Sequence, residues 1–237
     1  MSLETSIRAN LDSVRDRIRR AAGRAGRDPS SVRLVAISKT FGADHVRAAA
    51  AAGQGEFGEN RVQEALQKIA QTADFGIRWH LVGHLQSNKA RRAAPAFAAI
   101  HSVDGLELLE RLDRAAADAG ATPDVLVQVD LARETTKFGA PPDEARRLVD
   151  AAATCRTVRL VGLMLLPPFF DDVEAVRPYF ARLRDLRDQL VASGTPPALL
   201  GELSMGMSHD FEIAVEEGAT IVRVGTAIFG GRPPAQS

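Results

Sequence analysis

Residues 33–40 read R-L-V-A-I-S-K-T, and this stretch indicates how the chain folds. The run L-V-A-I at residues 34–37 is short, apolar and partly β-branched, which is typical of a strand buried on both faces of a parallel sheet. Lys39 follows the end of that strand. A lysine in this place is either a surface cation leaving the strand or a nucleophile held at the mouth of a core.

The rarity of lysine bears on the choice between these two roles. Only four of the thirty Lys and Arg residues are lysine, namely Lys39, Lys68, Lys89 and Lys137. Arginine stays charged and cannot form an imine, whereas a partly buried lysine can lose its proton and attack an aldehyde. We therefore predict that Lys39 forms a Schiff base with an aldehyde ligand.

Strand-like and helix-like segments alternate along the rest of the chain. Further strands are predicted at residues 55–58, 79–83, 98–103, 124–130, 159–165 and 220–224, and residues 198–203 lead into another. Helices are predicted at about residues 44–52, 59–70, 85–94, 106–116, 142–153 and 173–190, the last being the longest amphipathic one. Eight strands alternating with helices at this spacing predict an α/β protein with a single (β/α)8 TIM barrel.

An extra helix precedes the repeat. Apolar residues recur at steps of four, three and four (Ile7, Leu11, Val14, Ile18), which indicates one buried helical stripe. The predicted order is a leading helix at about 5–22, a barrel at about 33–230 and a short C-terminal tail. With 237 residues, of which 45% are hydrophobic, the chain has the length of one complete barrel, so we predict a single domain.

Composition argues against several kinds of partner. A formal net charge of zero provides no basic field to hold nucleic acid or an anionic membrane. The first residues lack an apolar signal region, and the longest apolar run, residues 160–170, is interrupted by glycine and proline. The single cysteine, Cys155, excludes an internal disulfide and a cysteine-based zinc cage. We expect a cytoplasmic protein with no nucleic-acid or membrane partner, either a monomer or a weak dimer.

Some patterns that resemble functional motifs lack the context those motifs need. The G-x-G-x-x-G at residues 53–58 follows a helix, whereas a dinucleotide site must follow a strand. His80 and His84 have a zinc-like spacing, but they flank a strand and a glycine and no acidic or cysteine partner is expected nearby, so no metal site is predicted. The sequential Ser-His-Asp at residues 208–210 indicates a helix start, not a triad. Cys155 is expected to pack on the face opposite the chemistry.

Two loops near the end of the chain suit a phosphate. Loop seven (residues 204–210, S-M-G-M-S-H-D) follows the seventh strand, with a helix expected to start at Ser208. Loop eight (residues 223–230, R-V-G-T-A-I-F-G) begins within the end of the eighth strand, where Gly225 and Thr226 follow. In such barrels a phosphate commonly lies between these two loops, held by bare amides and hydroxyls. Alternatively, Gly206 and Gly225 are turn glycines and Ser208 is an N-cap.

An aldehyde on a phosphorylated ring would span the mouth from Lys39 to the phosphate loops. Arg223 lies two residues before Gly225, so its guanidinium could point into the mouth. Pyridoxal 5'-phosphate (PLP) has the aldehyde for Lys39, the phosphate for the two loops and a ring that would lie near Arg223. Asn60, just beyond the second strand, is either a further contact to the ring or a helix N-cap.

Five motifs in this order resemble the pyridoxal phosphate homeostasis protein family, and the resemblance runs from about residue 5 to 231. They are V-A-I-S-K-T (35–40), F-G-E-N-R-V-Q-E (57–64), W-H-L-V-G-H-L-Q-S-N-K (79–89), L-S-M-G-M-S-H-D-F (203–211) and V-R-V-G-T-A-I-F-G (222–230). The resemblance implies a barrel like the N-terminal domain of alanine racemase, with the cofactor on Lys39. It also implies phosphate contacts from Ser204, Gly225 and Thr226, and Arg223 facing the pyridine nitrogen.

Two functions follow from such a site. The favoured one is a carrier that serves intracellular PLP homeostasis, delivers the cofactor to apo PLP enzymes, and has no catalytic residue. The alternative is a fold-type III PLP enzyme such as an amino-acid racemase. A two-base racemase needs a second acid, usually tyrosine or cysteine, but Tyr179 is expected on an outer helix and Cys155 on the wrong face. A charged Arg223 would keep the pyridine nitrogen unprotonated and weaken the ring as an electron sink.

Overall fold

The predicted (β/α)8 barrel is confirmed by the computed structural model, which describes residues 2–132 and 138–231. Eight parallel strands close in sequence order, and β1 pairs with both β2 and β8. The strands are β1 (Arg33–Ile37), β2 (Glu56–Glu59), β3 (Arg78–Leu81), β4 (Ala99–Val103), β5 (Asp124–Val129), β6 (Arg159–Leu165), β7 (Glu202–Ser204) and β8 (Ile221–Val224).

Helices surround the strands and a leading helix precedes them, as the sequence predicts. They are α1 (Leu3–Arg24), α2 (Ala43–Ala51), α3 (Val62–Gln71), α4 (Ala90–Ala93), α5 (Leu106–Ala119), α6 (Pro142–Ala153), α7 (Arg177–Ala192), α8 (Phe211–Glu216) and α9 (Thr226–Phe229). Of the predicted tail only Gly231 is described, and Lys137 also lies outside the described residues. In the described parts of the chain, no helix is long and apolar enough to cross a membrane.

Pairing at the seam of the barrel brings the two ends of the repeat together. Val35 of β1 lies opposite Arg223 of β8, and Ala36 lies opposite Val224. Because the strands are parallel, the residues that follow them emerge at the same end of the barrel. This register places Lys39 beside the loop that begins at Gly225.

The core has two layers. A small interior cluster fills the barrel, with Val35, Ile37, Val82, Leu126, Met164 and Ile221 at its centre. A larger cluster lies between the strands and the helices and includes the predicted stripe of α1. The interior is therefore a packed core and not a pore.

Helix α1 packs on both the first and the last helices of the barrel. Its predicted stripe is buried, with Leu11 and Val14 at most 1% exposed. Towards the end of the chain, Arg17 pairs with Glu212 of α8 at 2.7 Å, and Asn10 Nδ2 donates to the carbonyl of Ile228 in α9 at 2.8 Å. Since α1 also contacts α2, it covers the seam where β1 meets β8.

Several predicted boundaries are wrong. Glu59 ends β2 and does not open a helix, since α3 begins only at Val62. Residues 85–94 form a short 3-10 turn followed by one turn of α-helix. The segment at 173–190 also begins with a 3-10 turn, so α7 has 16 residues and α1, with 22, is the longest described helix. The helix after β7 begins at Phe211, not at Ser208.

Candidate cofactor site

A cavity of about 430 Å³ opens at the C-terminal mouth of the barrel. Its volume is in the range of small-molecule sites. Five of the six predicted contact residues line it: Lys39, Asn60, Arg223, Gly225 and Thr226. The neighbouring strands β8, β1 and β2 and the loops after them thus bring together an amine, a guanidinium, an amide side chain and a hydroxyl.

Arg223 forms a fixed cation in the wall of this cavity. The residue is 3% exposed, its Nη1 donates to Ser204 Oγ at 2.7 Å, and its Nη2 donates to the carbonyl of Leu165 at 2.8 Å. Burial lowers the pKa of Arg223 to about 10, and the charge of Asp210 acts in the opposite direction. The guanidinium stays protonated near neutral pH and is held in one orientation.

Ser204 is not where the prediction placed it. It does not line the cavity, and its fully buried hydroxyl lies in the barrel interior, against Arg223 and 2.8 Å from His101 Nδ1. As the last residue of β7, Ser204 directs its side chain inward. In the structure its hydroxyl therefore supports Arg223 and does not face the phosphate loops.

Ser208 occupies the position that was expected of Ser204. Its Oγ accepts hydrogen bonds from the backbone N–H groups of Gly225 at 3.1 Å and Ala227 at 3.3 Å. Asp210 directly precedes α8, so Ser208 is not the N-cap of that helix. The amides of loop eight are thus directed at an oxygen atom in the cavity wall, which is the arrangement that an anionic oxygen would also use.

Close backbone approaches explain two glycines around the cavity. A Cβ atom at Gly83 would lie 2.3 Å from the carbonyl oxygen of Asn60, so only glycine allows the loop after β3 to support Asn60. At Gly225 a Cβ atom would lie 3.1 Å from the carbonyl of Ile37.

Arg61, not Asn60, precedes α3, so the alternative role of Asn60 as a helix N-cap does not apply.

A histidine that lines the cavity has a carboxylate partner that the sequence reasoning missed. His84 lines the cavity, with Nδ1 3.2 Å from Asp104 Oδ2 and its ring stacked on Phe138 at a centroid distance of 3.6 Å. Burial raises the pKa of Asp104, although His84 partly offsets that effect. The expectation that His84 lacks an acidic partner is wrong, because Asp104 comes from the loop after β4 and is distant in sequence.

A chain of buried polar groups crosses the barrel interior behind Arg223. His101 Nε2 lies 2.9 Å from His80 Nδ1, and His80 Nε2 lies 3.4 Å from Glu56 Oε2. Glu56 is thus an acidic partner for His80, contrary to expectation. Burial, followed by the charges of His80 and Arg223, holds the pKa of His101 well below its usual range. Within residues 2–132 and 138–231, no group of three or more His, Cys, Asp or Glu side chains could hold a metal ion.

Comparisons with known proteins agree with this fold. Residues 9–233 match the family described as alanine racemase, N-terminal domain. The chain is thus a barrel of the alanine racemase N-terminal class, with a cavity at the mouth between loops seven and eight.

Relatives at higher identity define the family more narrowly. The chain is 41% identical to the pyridoxal phosphate homeostasis protein of Aquifex aeolicus over 222 residues, covering 94% of this chain and 96% of the relative. It is 45% identical to that of Pseudomonas aeruginosa over 229 residues, covering 96% of each. PipY of Synechococcus elongatus, solved with PLP bound, has a TM-score of 0.84 at 42% identity and covers 94% of this chain and 100% of its own. The chain belongs to the pyridoxal phosphate homeostasis protein family, which confirms the predicted resemblance.

Proposed function

We propose that this protein binds PLP as a Schiff base on Lys39 and serves PLP homeostasis in the cytoplasm by holding and handing over the cofactor. The observation that carries the proposal is the convergence of Lys39 and Arg223 with Ser208, Gly225 and Thr226 on one cavity. The PLP-bound PipY relative supports the choice of ligand.

The residues of the cavity suit the three parts of PLP. Lys39 supplies the amine for the aldehyde. The hydroxyls of Ser208 and Thr226 offer donors to the phosphate, and the N–H groups of Gly225 and Ala227 hold the Ser208 oxygen in place. We therefore assign the phosphate contact first expected of Ser204 to Ser208.

Arg223 bears on whether bound PLP would be used for catalysis. PLP supplies an electron sink when its pyridine nitrogen is protonated. Arg223 is charged, and Ser204 and Leu165 hold it by two hydrogen bonds. A fixed cation beside the pyridine nitrogen disfavours a proton there. This arrangement supports retention of the cofactor over turnover of amino acids.

Amino-acid chemistry is the second candidate, and one observation favours it. His84 lies in the cavity and is oriented by Asp104, an arrangement that suits a general acid or base. The residues that usually serve as the second acid are elsewhere: Tyr179 packs against Phe170 on the outer helix α7, and Cys155 lies before β6 at the opposite end of the barrel. Chiral analysis of amino acids incubated with PLP-loaded protein separates this candidate from the carrier.

The first test is the site of attachment. Borohydride reduction of PLP-loaded protein followed by peptide mapping should place a single pyridoxyl adduct on Lys39. Lys39→Ala should abolish the Schiff-base absorbance while circular dichroism shows an intact fold. Lys89→Ala, a matched change at the 3-10 turn before α4, should keep both the absorbance and the adduct. An adduct on Lys89 or Lys137 of the unmutated protein would contradict the proposal.

A further inference from the structure

A buried ionic cluster of Glu59, Glu64 and Lys68 lies beside Lys39. Lys68 on α3 is 5% exposed, and its Nζ contacts Glu59 Oε1 at 2.5 Å and Glu64 Oε1 at 2.8 Å. Glu59 is fully buried, and burial raises its pKa against the opposing effects of Lys68 and Ser38. Replacing a buried ion pair with apolar residues is often neutral or stabilising, so stability alone is a weak explanation for this cluster.

The cluster holds the chain on the N-terminal side of Lys39. Lys68 Nζ donates to the carbonyl of Ser38 at 2.7 Å, and Ser38 Oγ donates to Glu59 Oε1 at 2.7 Å. Ser38 is itself fully buried. The peptide that enters Lys39 is thus held by two hydrogen bonds, one through the Ser38 backbone and one through its side chain.

The same cluster holds the chain on the C-terminal side. Thr40 has φ +71°, and among the described residues it is the one non-glycine residue with a positive φ. That region is unfavourable for a β-branched residue and persists only where neighbouring contacts impose it. The contact here is the Thr40 N–H, which donates to Glu64 Oε1 at 2.8 Å, the same oxygen that accepts from Lys68.

We propose that Glu59, Glu64 and Lys68 are positioning residues that hold Lys39 for Schiff-base formation. The inference rests on the proposed function, since it requires Lys39 to be the reacting amine. The neutral Lys39 Nζ forms a C=N bond to the aldehyde carbon, and its two hydrogens leave with the aldehyde oxygen as water. The cluster exchanges no proton in this step. It fixes the peptides on both sides of Lys39, so that the amine reaches the aldehyde in a suitable geometry.

Glu64 provides the cleanest variants because its side chain is partly exposed, at 29%. Glu64→Ala removes the acceptor for the Thr40 N–H and keeps a good helix former in α3. Glu64→Gln retains an oxygen that can accept this hydrogen bond. We expect Glu64→Ala to slow borohydride-trappable attachment at Lys39 about tenfold or more, since small misplacements of reacting groups cost factors of this size. Glu64→Gln should recover part of that rate, and no recovery would contradict the role of the Thr40 hydrogen bond.

The buried pair is tested by a double variant. Lys68→Met together with Glu59→Gln removes both buried charges, and the Glu64 carboxylate that loses Lys68 is partly exposed to solvent. We expect it to slow attachment at least as much as Glu64→Ala does. Thermal unfolding of each variant reports whether the barrel is intact, and if the double variant does not fold, the Glu64 variants decide the question.

A Lys39→Ala background separates positioning from general damage. In that background PLP binds only non-covalently, so Glu64→Ala should leave its dissociation constant unchanged within about twofold, because additivity holds for sites that no longer interact. Equal losses with and without the Lys39 amine would overturn the inference, as would unchanged trapping in Glu64→Ala. If the unmutated protein forms no adduct at Lys39, the proposed function fails. If the adduct forms there but no cluster variant changes its rate, only this inference fails.

Discussion

At the scale of single residues, Gly225 is a point of the phosphate loops where a side chain would interfere with an anion. A Cβ atom there would already lie 3.1 Å from the carbonyl of Ile37. Its N–H is one of the two amides directed at Ser208. A carboxylate at this position would oppose an anion at close range.

We therefore predict that Gly225→Asp weakens PLP binding by at least about 2–3 kcal/mol, because it places a like charge where the phosphate is expected. Binding of free pyridoxal, which has no phosphate, should change little. Both affinities can be measured by fluorescence titration. Gly55→Asp places the same side chain on an exposed glycine with open space around it and serves as the control. Equal losses for both ligands would indicate damage to the barrel.

The buried His101 predicts a pH dependence of stability. The pKa of His101 in the folded protein lies well below the usual value. At a pH between that pKa and the pKa in the unfolded chain, the unfolded chain therefore binds a proton that the folded chain does not. Stability should fall as the pH decreases below about 6.5, with His101 contributing up to about 1.4 kcal/mol per pH unit. Urea unfolding of the unmutated protein and of His101→Gln at about pH 7 and pH 5.5 measures how much His101 contributes to the change in the free energy of unfolding with pH. If the free energy of unfolding changes equally with pH in the two proteins, the predicted contribution of His101 is wrong.

The sequence predicts some site residues better than others for physical reasons. Lys39 stands out because lysine is rare and because the residue ends an apolar run. The same rarity applies to Lys68, but only the fold brings its amine to Glu59. The hydroxyls of Ser204 and Ser208 cannot be told apart by spacing. Their roles depend on β7 ending at Ser204 and on the turn through Gly206, where φ is +91°.

At the scale of elements, strands are predicted more reliably than the ends of helices. Strand β6 has seven residues and β5 has six, and most of them are buried. Apolar runs in the sequence therefore identify these two strands. The error at Glu59 has a different origin. A glutamate before an asparagine indicates a helix start, but here Lys68 of α3 pairs with the Glu59 carboxylate, which is buried at the last residue of β2.

Helix α1 provides the prediction at this scale. Leu11→Ala should lower the free energy of unfolding by about 2–5 kcal/mol, because Leu11 is fully buried between α1 and the barrel. Ser13→Ala, an exposed change on the same helix, should change it by less than about 0.5 kcal/mol. Denaturant titration measures both variants. A small loss for Leu11→Ala would mean that α1 is not part of the cooperative unit.

At the scale of the whole molecule, the site is open at one end of a rigid barrel. The cavity mouth is lined by exposed apolar side chains such as Phe138 and Met207, at 53% and 36% exposure. A mouth of this kind gives amines and water access to the cofactor, which disfavours controlled turnover but suits loading and release.

We predict that PLP-loaded protein activates an apo PLP enzyme when the two are mixed, as followed by the recipient's activity. Chiral analysis of common amino acids incubated with the loaded protein alone should show no useful turnover. The Lys39→Ala protein, mixed in the same way, controls for free PLP carried over. Turnover of about one per second or faster on any amino acid would contradict the carrier function, because this is the range of ordinary enzymes.

The docking of α1 against α8 and α9 also bears on the order in which the chain can fold during synthesis. Helix α1 finds two of its partners only after ~200 further residues have been made, or roughly 10–40 s at ordinary translation rates. Until then part of its apolar stripe has no native contact, and β1 cannot pair with β8. The nascent barrel therefore emerges as an open, aggregation-prone sheet, and the pocket at the β1–β8 seam can form only once the last strand has been released.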